Sequence, residues 1–168
     1  MSVPEKENSD TGAKKKPGYA AALRRIASFC AYQERSHFEV RGKLEDWGLG
    51  PEEIGKLIAR LEEQDFLNEK RFVDSFVRGR FGLKKWGKIR IRQELKMRQI
   101  SEDLIRDSLA ALDESEYEET LRFLAERKWK LTNEADPYKK KAKVSRFLLF
   151  RGFEADLIKD VVDGLATV

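Results

Sequence analysis

The 168-residue chain has one cysteine, Cys30, and one histidine, His37. A lone cysteine excludes an internal disulfide framework and fits a reducing setting. One histidine beside one cysteine supplies neither the usual closed zinc site nor a Ser-His-Asp or Cys-His nucleophilic arrangement. Cys30 falls on an apolar helical stripe and reads as a small buried hydrophobe. No apolar run approaches the ~20 residues of a membrane helix, and the N-terminal stretch lacks the apolar segment of a secretory signal. A soluble, cytoplasmic protein is therefore expected. Alternating segments long enough for a strand are also missing. Paired carboxylates such as Glu62-Glu63 and Glu118-Glu119 look like exposed helix faces with no partner to shift a pKa. No catalytic centre, metal site or cofactor site emerges.

What is abundant is charge. Charged residues make up 38% of the chain and hydrophobic ones 40%, with 34 basic against 30 acidic side chains and a net charge of +4. That excess is mild, so where the charges lie matters more than their total. Residues 1–18, "MSVPEKENSDTGAKKKPG", have too few apolar side chains to offset the entropy of ordering and read as a flexible tail. Lys14, Lys15 and Lys16 in it belong to a solvated segment first and to an anion contact second.

Three decamers align along the chain: "VRGKLEDWGL" from Val40, "IRQELKMRQI" from Ile91 and "VSRFLLFRGF" from Val144. With Leu44, Leu95 and Leu148 as reference points, the position four before is Val40, Ile91 and Val144. The position five after is Leu49, Ile100 and Phe153. Further on, Ile54, Ile105 and Ile158 correspond, then Ile58, Leu109 and Val162, then Leu61, Leu112 and Leu165. Six apolar positions in register across two offsets mark an internal repeat. Their spacings are those of one helix face, so each unit has two amphipathic helices joined at a short turn.

Gly48 and Gly152 stand where a helix C-terminus favours positive φ, and Gln99 fills that place in the middle unit. Pro51, Ser101 and early acids then open the following helices. A further helix precedes each pair, carrying Leu23, Ile26, Ala27 and Cys30, then Phe72, Val73, Phe76 and Val77, then Leu121, Leu124 and Ala125. Capping-box spacing at Ser36–Glu39 and Ser115–Glu118 predicts helix starts there, and Asp136-Pro137 predicts another. The fold expected is all-α: three tandem three-helix repeats over 19–67, 68–112 and 113–168, each leaning on its neighbour in an elongated, curved array.

The cations gather on this frame. Arg78 to Arg98 holds nine against the single acid Glu94, and Lys139 to Arg151 holds six with no acid. Ser101 to Glu119 holds eight acids against Arg106 alone. Lys84, Lys88, Arg92 and Lys96 recur every four residues and predict one row on a helix. Two readings stand for that row: a solvated surface salt-bridged to the acids of the following helix, or contact with an anionic partner that relieves the repulsion. Phe81 and Trp86 nearby suit core packing, with stacking on bases as the alternative. Gly82-Leu-Lys-Lys-Trp-Gly87-Lys88-Ile89 has the spacing of a phosphate-binding loop. Ile89 replaces the hydroxyl that would hold magnesium and a helix precedes it, so a turn explains both glycines better.

The segments "SHFEVRGKL", "LEEQDFLNEKRFVDSFVRGR", "WGKIRIRQEL" and "FLLFRGF" followed by Ile158 resemble the RecX family of regulatory proteins, over roughly Ala22 to Leu165. The departures are small: Trp86 stands where a smaller residue is common, and Gln99 where glycine is usual. The resemblance implies a non-enzymatic protein that binds the RecA recombinase filament on DNA, mainly single-stranded. It would restrain ATP hydrolysis and strand exchange, and so limit the SOS response. The partner is then the filament, the protein a monomer with no membrane and no cofactor. The residues expected to face phosphates or acidic recombinase surface are Lys84, Lys85, Lys88, Arg92, Lys96, Lys139, Lys140, Lys143 and Arg146. A helical-repeat DNA-binding protein that needs no recombinase is the alternative, and a purely structural adaptor a third.

Overall fold

The computed structural model describes residues 15–168; residues 1–14, with Lys14 and most of the expected tail, lie outside them. Among the described residues there are nine helices and no strand. They are α1 (Tyr19–Tyr32), α2 (His37–Asp46), α3 (Pro51–Glu63), α4 (Glu69–Gly82), α5 (Lys88–Met97), α6 (Glu102–Ala110), α7 (Glu114–Leu131), α8 (Pro137–Arg151) and α9 (Ala155–Ala166). Helices pack chiefly within the consecutive triplets α1–α3, α4–α6 and α7–α9. The chain is thus all-α and built of three-helix repeats.

The repeated apolar positions build the core. Of the eighteen residues aligned through the three decamers, Ile58, Leu112 and Leu165 are half-buried and the others buried. Leu44, Leu95 and Leu148 have no exposed surface. Leu95→Ala should therefore lower stability by ~2–5 kcal/mol through lost burial and an unfilled cavity. Urea unfolding of the variant checks this, and a wild-type midpoint would overturn the role given to Leu95.

Local chemistry sets the helix ends. Ser36 accepts from the Glu39 N–H at 3.1 Å while the Glu39 carboxylate accepts from the Ser36 N–H at 3.0 Å, closing the expected capping box. Asp136 caps α8, with Pro137 in its first turn. The Ser115 capping box does not form: Asp113 accepts from the Glu116 N–H at 2.8 Å and starts α7 earlier. An ionised cap at the helix N-terminus also meets the favourable end of the dipole, which decides between two competent residues. At the repeated turn Gly48 and Gly152 have φ of 86° and 98°, and Gln99 takes 58° in the same place.

The two joints between units differ in kind. Unit one keeps its own apolar cluster, including Ile26, Val40, Leu44 and Leu57, whereas the second and third triplets share a single one. Tyr117 lies at the centre of the shared core, its ring 5.6 Å from Phe81 and 5.3 Å from Phe153 between centroids. Its hydroxyl accepts from the Lys88 N–H at 2.9 Å and donates to the Glu154 carboxylate at 2.7 Å. Burial, and then the hydrogen bond to Glu154, push the phenol pKa up, so the hydroxyl stays a donor. Main chain touches main chain at this joint: the Gly87 N–H donates to Arg151 O at 2.8 Å and the Ile89 N–H to Gly152 O at 3.0 Å.

Unit one instead meets the second triplet through polar side chains. Arg71 pairs with Glu34 at 2.8 Å, and Arg98 reaches Glu39 at 3.5 Å. The His37 N–H donates to Glu69 at 3.3 Å.

Candidate nucleic-acid and partner interface

The predicted cationic row forms only in part. Lys88, Arg92 and Lys96 share one side of α5, but Lys84 and Lys85 precede that helix, in the turn between α4 and α5. The reason is the joint just described. Lys85 takes φ 57° and Gly87 closes on the α8 terminus, so the helix cannot begin before Lys88. Lys85 Nζ donates to Gly82 O at 3.2 Å, while Lys84 is exposed. The glycine pair of the phosphate-loop-like stretch therefore serves a turn and a close backbone approach.

Acids of the following helices meet the remaining row. Lys88 pairs with Glu114 at 2.6 Å, Arg92 with Glu102, and Lys96 with Glu102 at 3.3 Å. That is the arrangement of a salt-bridged surface. Arg92 and Lys96 are held by pairs that lie at the surface and are worth only ~0.2–1 kcal/mol, so the pairs with Glu102 are broken at small cost. Lys88 is different: its ammonium lies 4.5 Å from the centre of the Tyr117 ring and its backbone is fastened to the Tyr117 hydroxyl. It belongs to the joint as much as to the surface.

On α8 the predicted cations are more available. Lys139 and Arg146 are exposed and make no ion pair among the described residues. Lys140 sits 4.7 Å from the Trp129 ring centre, and Lys143 pairs with Glu134 at 2.8 Å. The Lys143 ammonium holds the Glu134 carboxyl below the usual carboxylate range. Lys141, outside the predicted set, is taken by Asp163 at 3.0 Å.

A feature the sequence did not reveal is a run of alternating cations and aromatic rings across two units. Arg98 and Arg80 lie 4.9 Å and 4.6 Å from the Phe76 ring centre. Arg80 also approaches Trp86, at 5.2 Å, and Arg90 approaches Trp86 at 4.0 Å and Phe150 at 5.2 Å. Arg151 and Lys128 then flank Phe147 at 5.6 Å and 4.9 Å. The Nε atoms of Arg80 and Arg151 are buried without a hydrogen-bond partner among the described residues, so these guanidinium groups rest on ring faces. Trp86 is half-buried within this run, whereas Phe81 is only 4% exposed and packs in the core, which removes it as a stacking residue. The one signal in the sequence was the interleaving of arginine with Phe76 and Trp86. Phe150 joins them only through the joint with the third triplet.

Among the described residues no group of three or more His, Cys, Asp or Glu side chains clusters for a metal, and no helix is long and apolar enough to cross a membrane. Burial pushes the Cys30 thiol up to about 11, which keeps it protonated and a poor nucleophile near neutral pH.

Comparison with known proteins adds an independent line. Family models described as the first, second and third three-helix domains of RecX match residues 19–61, 68–109 and 115–162. "Regulatory protein RecX" of Cronobacter sakazakii is 34% identical over 157 residues, covering 88% of this chain and 93% of that protein. The protein of the same name from Clostridium botulinum strain Alaska E43 is 37% identical over 126 residues, 74% of this chain. The match spans 58% of that longer clostridial relative. The crystal structure of RecX from Lactobacillus salivarius superimposes with a TM-score of 0.79 at 23% identity, covering 89% of this chain and 97% of that one; that likeness is one of fold.

Proposed function

This chain belongs to the RecX family, and from that premise we propose that it binds the RecA–DNA filament and restrains the recombinase's ATP hydrolysis and strand exchange. It acts by binding and not by catalysis, as a monomer, in the cytoplasm where the filament assembles. The observation that carries this reading is the cation-rich, aromatic-laced face running from α4 and α5 onto α8. The second and third triplets hold that face on one shared core, so it meets a long anionic partner as a unit. Lys139, Lys140, Lys143 and Arg146 extend it along α8, Lys84 and Lys85 stand in the turn before α5, and Arg92 and Lys96 add charge on the flank of α5 opposite Arg90. Fixed positive charge on such a face favours phosphates and acidic protein surface alike.

RecA-dependent ATP hydrolysis on single-stranded DNA, measured with and without the full chain, tests the proposal. A fall in hydrolysis at substoichiometric protein is expected. No change in rate, with tight binding to bare DNA, would instead favour a DNA-binding protein that needs no recombinase. That second reading draws on the same basic face and predicts a log-log salt slope of about −0.7 per phosphate neutralised on single strands.

A further inference from the structure

The third triplet departs from its siblings in two helices. α7 has 18 residues and α8 has 15, against 14 for α4 and 10 for α5. The added turns carry the C-terminal end of α7 past the repeat's core and alongside α8. Between them lies an open groove lined by Lys128, Leu131, Lys143, Arg146, Phe147 and Phe150.

These side chains are not what the repeat requires. Leu148 holds the core position, whereas Phe150 stands in register with Met97 and Asp46, and Arg146 with Gln93 and Gly42. Phe150 is 75% exposed and Leu131 71% exposed, surface that costs solubility unless something covers it. Arg90 lies against Phe150 from the second triplet, which fixes the groove at the end of the cation–ring run. No acidic side chain lines the groove. The nearest partner to its charges is Glu134, on Lys143.

We propose that this groove is a base-stacking subsite for single-stranded DNA, in which a splayed base covers Phe150 beside Phe147 while Lys128, Lys143 and Arg146 hold the flanking phosphates. This deepens the filament reading and rests on it for the setting in which the strand is met. Charge complementarity selects the occupant, because three cations around two rings match an anionic chain bearing flat apolar groups. An acidic peptide with apolar side chains offers the same charge. It would not follow the run of cations and rings from Phe76 to Phe147, which suits a linear polyanion.

The test compares two fluorescein-labelled 20-mers of equal charge, one of thymidylate and one wholly abasic, titrated with the full chain. Wild type should bind the thymidylate strand about tenfold more tightly, the discrimination of one good stacking contact. Phe150→Ala should lose that preference yet keep its affinity for the abasic strand and its melting temperature. Phe150→Trp should restore the preference, with indole emission quenched by thymidylate and not by the abasic strand.

Equal affinity of wild type for the two strands would overturn the proposal, as would an unchanged preference in Phe150→Ala. So would displacement of the thymidylate strand, at equal concentration, by an alternating Glu-Phe peptide. The ATP hydrolysis assay separates this from the filament reading. Inhibition without base preference sinks the subsite alone, and base preference without inhibition sinks the filament reading alone.

Discussion

Gly152→Ala is expected to lower stability by about 3–5 kcal/mol, while the same change at Gly48 costs only about 1–2 kcal/mol. Both glycines end the second helix of their unit with positive φ, 98° and 86°, so each alanine incurs left-handed strain. Their surroundings differ. A Cβ at Gly48 has its nearest neighbour, the Lys16 side chain, at 3.9 Å, but one at Gly152 overlaps the Arg90 backbone and Cβ. Gly87→Ala tests the other half of that contact. With φ −77° it carries no left-handed strain, yet its methyl would overlap the Gly152 carbonyl. Because the second and third triplets share one core, opening the joint exposes Phe81, Tyr117 and Phe153 together and loosens the hydrogen bonds through the Tyr117 hydroxyl. Urea unfolding followed by circular dichroism gives the comparison. If Gly152→Ala proves no more damaging than Gly48→Ala, the close approach of α5 to the α8 terminus is not a stability determinant.

The second large effect is functional. Lys139→Glu combined with Arg146→Glu should raise the protein concentration needed for half-inhibition of RecA-dependent ATP hydrolysis by tenfold or more. Both residues are exposed and make no ion pair among the described residues, so the melting temperature should stay within a degree or two of wild type. If both meet phosphates of a single strand, the log-log salt slope of binding should also fall by about 1.4. Inhibition unchanged from wild type would remove α8 from the interface. Charge reversal on α5 is a less clean probe. Glutamate at Arg92 or Lys96 would face Glu102, and at Lys88 it would face Glu114 and disturb the Tyr117 contact.

The scaffold was open to reading from the sequence because its causes are local or periodic. A buried helix face demands apolar residues every three or four positions, and that demand, met three times, wrote Leu44, Leu95 and Leu148 into register. Caps work over three residues, so Ser36 with Glu39 and Asp136 with Pro137 could be recognised directly. Where two local solutions competed, the same rules gave no decision. Ser115 had the spacing, and Asp113 made the bond.

The candidate surface was less legible, for the same physical reason in reverse. A spacing of four implies one row only inside a continuous helix, and the α5 helix stops short of Lys84 because Gly87 is drawn onto another unit. Pairing of the row with acids of the following helix was one of two readings the sequence left open, and the fold supplies the partners, Glu102 on α6 and Glu114 on α7.

By itself, then, the sequence determined the all-α repeat, its core positions, most of its helix ends and its membership among RecX proteins. Each of those rests on interactions within one helix or one turn, or on residue identity alone. Only the tertiary structure decided that the second and third units share one core while unit one is held by ion pairs. It also decided which cations are spent on acids, and that Phe76, Trp86 and Phe150 line up with Arg80, Arg90 and Arg98. Those outcomes depend on side chains far apart in the chain meeting across a joint, and between the second and third units that joint closes because Gly87 and Gly152 both lack a methyl.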